Sequence, residues 1–349
     1  FRSTDAGQSW TRIGAPDVGE QGGIHFSIAA DPDVDDKVYV RGQDDGFRIH
    51  VENTGGFTPN QPKTTQLQGG LGVAGPNKKP HADSRDMEVD ANGDLLDVND
   101  GGIYHLNLGS GKFNRAKWTS INGDLQISEI HHVAYDGTSD IIMAGFQDNG
   151  MAWQKSSGGM EWDIMKGGDG GDVAAGPTSG GSVRIGSSQY LGIQDSAFQR
   201  TGNLQSFTFD ASNNRTGKHG INVKTIWEKD TEYGDAKFYS PIDLNATKDG
   251  ELAIGGGDTV YAAKQVHSGG GLSGHTIVEL TTDGIGANNP HGIEYGGFDG
   301  NTRQTDVLYV ADGNKIYVGK ASSGDPLSSN DSTRYGAGNV NDNELDPED

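Results

Sequence analysis

Six stretches of this chain repeat one pattern: an apolar strand, a turn of Gly, Asp or Asn, and a second apolar strand. That repetition constrains the fold more than any other feature. The six are DKVYVRGQDDGFRI (36–49), GDLLDVNDGGIYHL (93–106), DIIMAGFQDNGMAW (140–153), GSVRIGSSQYLGI (181–193), GELAIGGGDTVYAA (250–263) and DVLYVADGNKIYVG (306–319). Each is preceded by one more short strand, at 25–32, 84–91, 130–137, 170–177, 239–246 and 291–300. A fourth strand follows at 117–123, 160–168, 204–210 and 275–280. The apolar runs are short, rich in Val, Ile and Tyr, and leave almost no helical periodicity. The mean repeat is roughly 54 residues, somewhat longer than propeller blades of about 40–50. Four antiparallel strands per unit, repeated in this way, describe an all-β propeller, in which radial repetition protects the sheet edges. A β-helix needs shorter repeats, and a sandwich leaves the repetition unexplained.

The opening segment FRSTDAGQSWTRIG (1–14) reads as the outer half of a blade whose first two strands are missing. The expected organisation is therefore a single propeller over 1–320 with six or seven four-stranded blades, seven preferred. A polar, acidic tail or linker follows over 321–349. The first residue is Phe rather than Met, and no basic segment leads into an apolar one, so the chain reads as part of a longer polypeptide without a signal peptide of its own. Its 349 residues carry 49 Asp+Glu against 27 Lys+Arg, a formal charge of −22. Phosphate binding demands a basic surface, so the charge excludes nucleic acid as a partner and suits hard cations instead. No stretch approaches the ~18 apolar residues of a membrane-spanning helix, so no membrane insertion is expected. The chain has no Cys, which leaves the redox compartment open.

Ser3-x-Asp5-x-Gly7-x-Ser9-Trp10 is the sharpest motif in the chain. It resembles the Asp-box, or BNR repeat, of sialidases, sortilin-like receptors, xyloglucan-cleaving endoglucanases and photosystem assembly factors. Locally, the Asp5 carboxylate is expected to accept backbone N–H groups across the turn, Gly7 to permit positive φ, and Trp10 to pack between blades. The resemblance implies that Ser3, Asp5, Gly7, Ser9 and Trp10 are structural and lie at the blade periphery, away from any axial site. PHAD (80–83), DGGIY (100–104), FQDNG (146–150) and GGDGGDVAAGP (167–177) follow one another in an order similar to that of large secreted bacterial Asp-box propellers. This implies an extracellular or cell-surface setting but delivers no activity.

Propeller ligands bind at the axial channel or in the loops of one face. The segments entering the first strands collect His25, His81, Asp83, Asp86, Glu129, His131, His132, Asp169, Asp172, His291 and Glu294. Of these, Asp83, Asp86, Asp169 and Asp172 are the candidate catalytic carboxylates, since a pair ~5–10 Å apart with one raised pKa cleaves a glycosidic bond. His81, His131, His132, His291 and Trp153 are the candidate ligand-binding residues, with Trp162, Tyr190 and Tyr239 as further aromatics for sugar stacking. The alternating Asp90, Asn92 and Asp94 of DANGD resemble the start of a calcium loop. Leu95 and Gly101 stand where an EF-hand needs its Gly and Glu, so an ordinary hairpin turn is the competing reading. The Gly-rich GGDGGDV lacks the Lys-Ser/Thr of a phosphate loop, and the Phe-Arg-Ile-Pro signature of sialidases is absent. The reading that follows is a secreted or cell-surface Asp-box propeller that binds a glycan or protein, with Ca2+ as the candidate cofactor. Two alternatives stay open: a glycoside hydrolase using axial-face carboxylates, and a structural subunit of an extracellular assembly.

Overall fold

The computed structural model describes residues 1, 3–12, 16–34, 37–43, 46–50, 63–66, 80–108, 117–125, 127–192, 203–223, 226, 235–246, 250–263, 266, 277–280, 289–296, 298–299, 302–303, 307–321 and 335–338. The chain divides into two compact units, Phe1–Ile127 and Ser128–Asp349. The described residues are all-β and form six four-stranded antiparallel sheets, the blades of a β-propeller.

The first unit holds two sheets. One runs β1 (Ser27–Ala30), β2 (Lys37–Arg41), β3 (Gly46–His50) and β4 (Lys63–Gln66). The next runs β5 (Asp86–Val89), β6 (Leu95–Asn99), β7 (Gly102–Asn107) and β8 (Lys117–Ser120). Ala29, Tyr39, Met87, Leu95, Leu106 and Trp118 close the core between them. Arg41 and Asp97, both fully buried, pair across that core at 2.5 Å.

The second unit holds four sheets. The third comprises β9 (Ile130–Asp136), β10 (Ile141–Phe146), β11 (Gly150–Gln154) and β12 (Trp162–Lys166). The fourth comprises β13 (Gly170–Thr178), β14 (Gly181–Ser188), β15 (Asn203–Phe209) and β16 (Arg215–Asn222). The fifth comprises β17 (Ile242–Leu244), β18 (Leu252–Gly255), β19 (Val260–Ala263) and β20 (Ile277–Leu280). The sixth is built from β21 (Gly292–Tyr295), β24 (Val307–Asp312), β25 (Lys315–Ala321) and β26 (Tyr335–Gly338). A small hairpin of β22 (Phe298–Asp299) and β23 (Thr302–Arg303) interrupts it.

Each core lies between consecutive sheets, so central strands are apolar on both faces. Leu252 and Ile254 of β18 face the fourth sheet's core, and Ala253 faces the sixth. The first strands of the sheets, β9, β13, β17 and β21, pack against one another in order. Glycine also lets β10 and β11 of the third sheet come close to β13: a Cβ on Gly145 would fall 1.9 Å from Gly171 O, and one on Gly170 2.0 Å from Gly150 O.

Three details differ from the sequence expectation. GSVRIGSSQYLGI is not a hairpin: β14 runs straight through 181–188 and ends in a short turn at Gln189–Gly192. The expected fourth strand at 204–210 is accordingly the third, β15, and the polar RTGKHGIN of β16 is the fourth. Within the expected tail, Tyr335–Gly338 pairs with β25. Near the N-terminus the described residues hold a turn and a single bridge residue, Thr11, in place of two blade strands.

Candidate functional site

The Asp-box turn is built on Asp5. Its Oδ1 accepts the Ser9 N–H at 2.8 Å and the Ser3 hydroxyl at 2.7 Å, and its Oδ2 accepts the Ser9 hydroxyl at 2.5 Å. The Ser9 hydroxyl and N–H, joined by Ser3, pull the Asp5 carboxyl down to about 2. Gly7 takes φ +88° and donates its N–H to Ser3 Oγ. Trp10 differs from expectation: it is 62% exposed, and its indole N–H donates to Gly7 O rather than packing in a core.

In the first unit, Asp83 takes φ +65° and faces His25 Nε2 at 3.6 Å. Asp86 opens β5, is exposed, and accepts the N–H of its neighbour Met87. His81 is half-buried; its carbonyl accepts from Arg41, and a Cβ on Gly101 would strike its side chain. In the DANGD turn, Asp90 Oδ1 accepts the N–H groups of Asn92 and Asp94. Asn92 turns its amide Nδ2 onto Asp90 Oδ2. Two members of the expected set, Asp90 and Asp94, stand with His105 in one group that could hold a metal ion.

The second unit gathers the rest. His131 and His132 stand on β9 and reach the neighbouring β13: His131 Nδ1 lies 2.9 Å from Gly170 O, and His132 Nδ1 lies 3.1 Å from Val173 O. Asp172 on β13 reaches β17 by accepting the Ile242 N–H at 3.3 Å. Asp243 on β17 reaches β21 by accepting the Tyr295 N–H at 2.7 Å. Polar side chains of each of these first strands, two on β9 and one each on β13 and β17, thus latch onto the backbone of the next. Burial raises the carboxyl of Asp172 against the lowering pull of His132 and His131. Burial also pushes Asp243 up to about 7, with Glu294 and Asp172 adding to it, and raises Glu294.

Beside these latches, loops from three sheets meet. Asp169 Oδ1 accepts from Gln147 Nε2 at 2.5 Å and from the Asp148 N–H at 3.1 Å. The Tyr239 hydroxyl donates to Gln147 Oε1 at 2.5 Å, so one amide joins phenol and carboxyl. Burial raises the Asp169 carboxyl, and burial with the nearby charges of Asp169, Asp148 and Glu129 pushes Tyr239 up to about 12. The His131 ring lies 4.2 Å from that of Tyr239, Tyr239 meets Phe238 edge-on at 4.7 Å, and Phe238 meets Tyr190 at 5.2 Å. Phe238 is 39% exposed, so this aromatic row presents a ring to solvent.

Among the expected ligand-binding residues, Trp153 is corrected. It is 5% exposed and wedged between Phe207 and Phe209, each 5.2 Å away, in the core of the third and fourth sheets. A ring enclosed in this way has no face for a ligand. Trp162 is half-buried, edge-on to Phe146. His291 is exposed, with Asn289 Nδ2 3.1 Å from its Nε2. Asp83 and Asp86 belong to the first unit, Asp169 and Asp172 to the second. Sequence reasoning missed Gln147, Phe238, Asp243 and His105. Gln147 sits in the QDNG turn already singled out as a motif. Asp243 carries the signal of a lone acid between two core aliphatics.

No family model and no curated protein matches the chain. Among solved structures, it is similar to virginiamycin B lyase from Staphylococcus aureus, at 13% identity and a TM-score of 0.35 over 85% of this chain and 80% of that one. It is also similar to a gluconolactonase from Xanthomonas campestris, at 9% identity and a TM-score of 0.35 over 81% of both chains. Both are β-propeller folds. Neither likeness carries an argument about activity. Among the described residues, no helix is long and apolar enough to cross a membrane.

Proposed function

We propose that this chain is an extracellular or cell-surface Asp-box propeller that binds a neutral glycan through the loops of the second unit. The observation that carries the reading is the solvent-facing aromatic row of Tyr190, Phe238, Tyr239 and His131, set beside the Gln147–Asp169 pair. Sugars are recognised by an aromatic ring against their C–H face and by groups that hydrogen-bond their hydroxyls. The candidate carboxylates favour binding over catalysis: Asp86 accepts its neighbour's N–H, Asp169 takes turn N–H and amide groups, and Asp172 latches a strand.

The test is a glycan array followed by calorimetry with any oligosaccharide retained. Phe238→Ala, at an exposed ring, should weaken binding at least tenfold while leaving the fold intact. No retained glycan, or a Phe238→Ala variant that binds as the parent does, refutes the proposal. One observation bears on the hydrolase alternative: burial pushes the Asp243 carboxyl up to about 7, the range a general acid uses. Release of reducing ends from the same oligosaccharides, lost in Asp243→Asn, would decide for that reading.

A further inference from the structure

We infer that Asp90, Asp94 and His105 form a site for a divalent transition-metal ion of the Zn2+ or Co2+ class rather than for Ca2+. The three come from different positions of the second sheet: Asp90 and Asp94 flank the β5–β6 turn, and His105 stands on β7. Their ligand atoms all lie within 4.8 Å of one another. His105 Nε2 is 3.4 Å from Asp94 Oδ2 and 3.7 Å from Asp90 Oδ2. Those separations are longer than a hydrogen bond. The first matches, and the second slightly exceeds, the edges of a tetrahedron around an ion bound at about 2.0–2.2 Å, which are about 3.3–3.6 Å.

The imidazole is the independent element here. Its Nε2 lies within ion-pair distance of both carboxylates without closing to a hydrogen bond on either, and the ring stays 26% exposed. The carboxylates are fixed by their other contacts. Asp94 Oδ1 accepts the Leu108 N–H at 2.7 Å and its Oδ2 the Asn107 amide at 2.9 Å; Asp90 Oδ1 holds the turn N–H groups. One nitrogen and two oxygens select a borderline ion. Ca2+ takes six to eight oxygens, and this group does not supply them. Water would complete the coordination on the open side.

The experiment strips the full chain with chelator and titrates it with Zn2+ by calorimetry and with Co2+ by visible absorption. The expected result is one ion bound, with the Co2+ spectrum showing a ligand-field band for mixed nitrogen and oxygen ligation and a raised melting temperature. Equimolar Ca2+ should not displace the ion. His105→Ala should lose the band and the melting shift, and His291→Ala should keep both. Asp90→Asn retains the acceptor for the turn N–H groups and should also weaken binding. No binding, displacement by equimolar Ca2+, or an unchanged band in His105→Ala overturns the inference.

Discussion

Asp243→Asn should make this protein more stable at neutral pH, and the gain should shrink as the pH falls towards 4. Asp243 sits on β17 between the core residues Ile242 and Leu244, and its Oδ2 accepts the Tyr295 N–H at 2.7 Å. Burial, with the nearby charges of Glu294 and Asp172, pushes its carboxyl from the ordinary 3.8 to about 7. A raised folded-state pKa means that the folded protein binds the proton more tightly than the unfolded chain does. The favourable contribution is therefore complete below about pH 4, where both states are protonated. It falls as pH rises from there and is fully lost above about pH 7. The gap between 3.8 and about 7, at about 1.4 kcal/mol per unit, sets a ceiling of about 4 kcal/mol. Partial contact with solvent reduces this to about 2–3 kcal/mol. Asparagine keeps the acceptor for Tyr295 and removes the charge. Urea denaturation of both proteins at pH 5 and pH 8 gives the double difference. The variant should be more stable by about 2–3 kcal/mol at pH 8, equivalent to roughly 3–4 °C in melting temperature for a chain of 349 residues, and by somewhat under half of that at pH 5, about 1 kcal/mol. Equal stabilities at pH 8, or a variant advantage that grows in acid, would refute the reasoning.

Two further predictions concern how the blades hold together. Asp136 Oδ2 accepts from Arg184 Nε at 2.9 Å and Nη2 at 2.8 Å, both side chains being buried. Asp136→Ala leaves that guanidinium without its charge partner and should cost about 3–5 kcal/mol by denaturant titration, most of it recovered in Asp136→Ala/Arg184→Met. Gly145→Ala would place a methyl 1.9 Å from the Gly171 carbonyl. It should cost at least the ~1–3 kcal/mol of ordinary overpacking, because backbone cannot swing aside as a side chain does. Gly180→Ala, where the added methyl meets nothing within 4 Å, is the neutral control.

The fold was legible because a propeller writes its architecture as repetition. Each central strand shows an apolar run, as in Leu252–Gly255, since both its faces are packed. Edge strands gave no such signal. β16 contributes Arg215, Thr216, Lys218 and His219 to a sheet edge with half its surface in water, so its polarity hid it. β14 was misparsed because Gly186 to Ser188 look like a turn, yet Gly186 is a strand residue whose missing Cβ makes room for Met151 Sδ. The site was half legible. His131, His132, Asp169 and Asp172 lie in segments that must reach the inner strands. Phe238 and Gln147 required knowing which loops from different sheets converge, and that is a three-dimensional fact. Trp153 misled because nothing in one sequence separates a core indole from a sugar platform.

The latches of the second unit run from a side chain to a peptide N–H or carbonyl, never to a partner side chain: His132 to Val173, Asp172 to Ile242, Asp243 to Tyr295. The receiving strand contributes only backbone, which every residue but proline supplies in full. A first strand can therefore change its sequence, or be exchanged for another by duplication or recombination, without losing the hold of the blade before it. This part of the coupling is specified from one side only, unlike the Asp136–Arg184 pair, and it leaves the loops at the strand ends free to diverge towards a ligand.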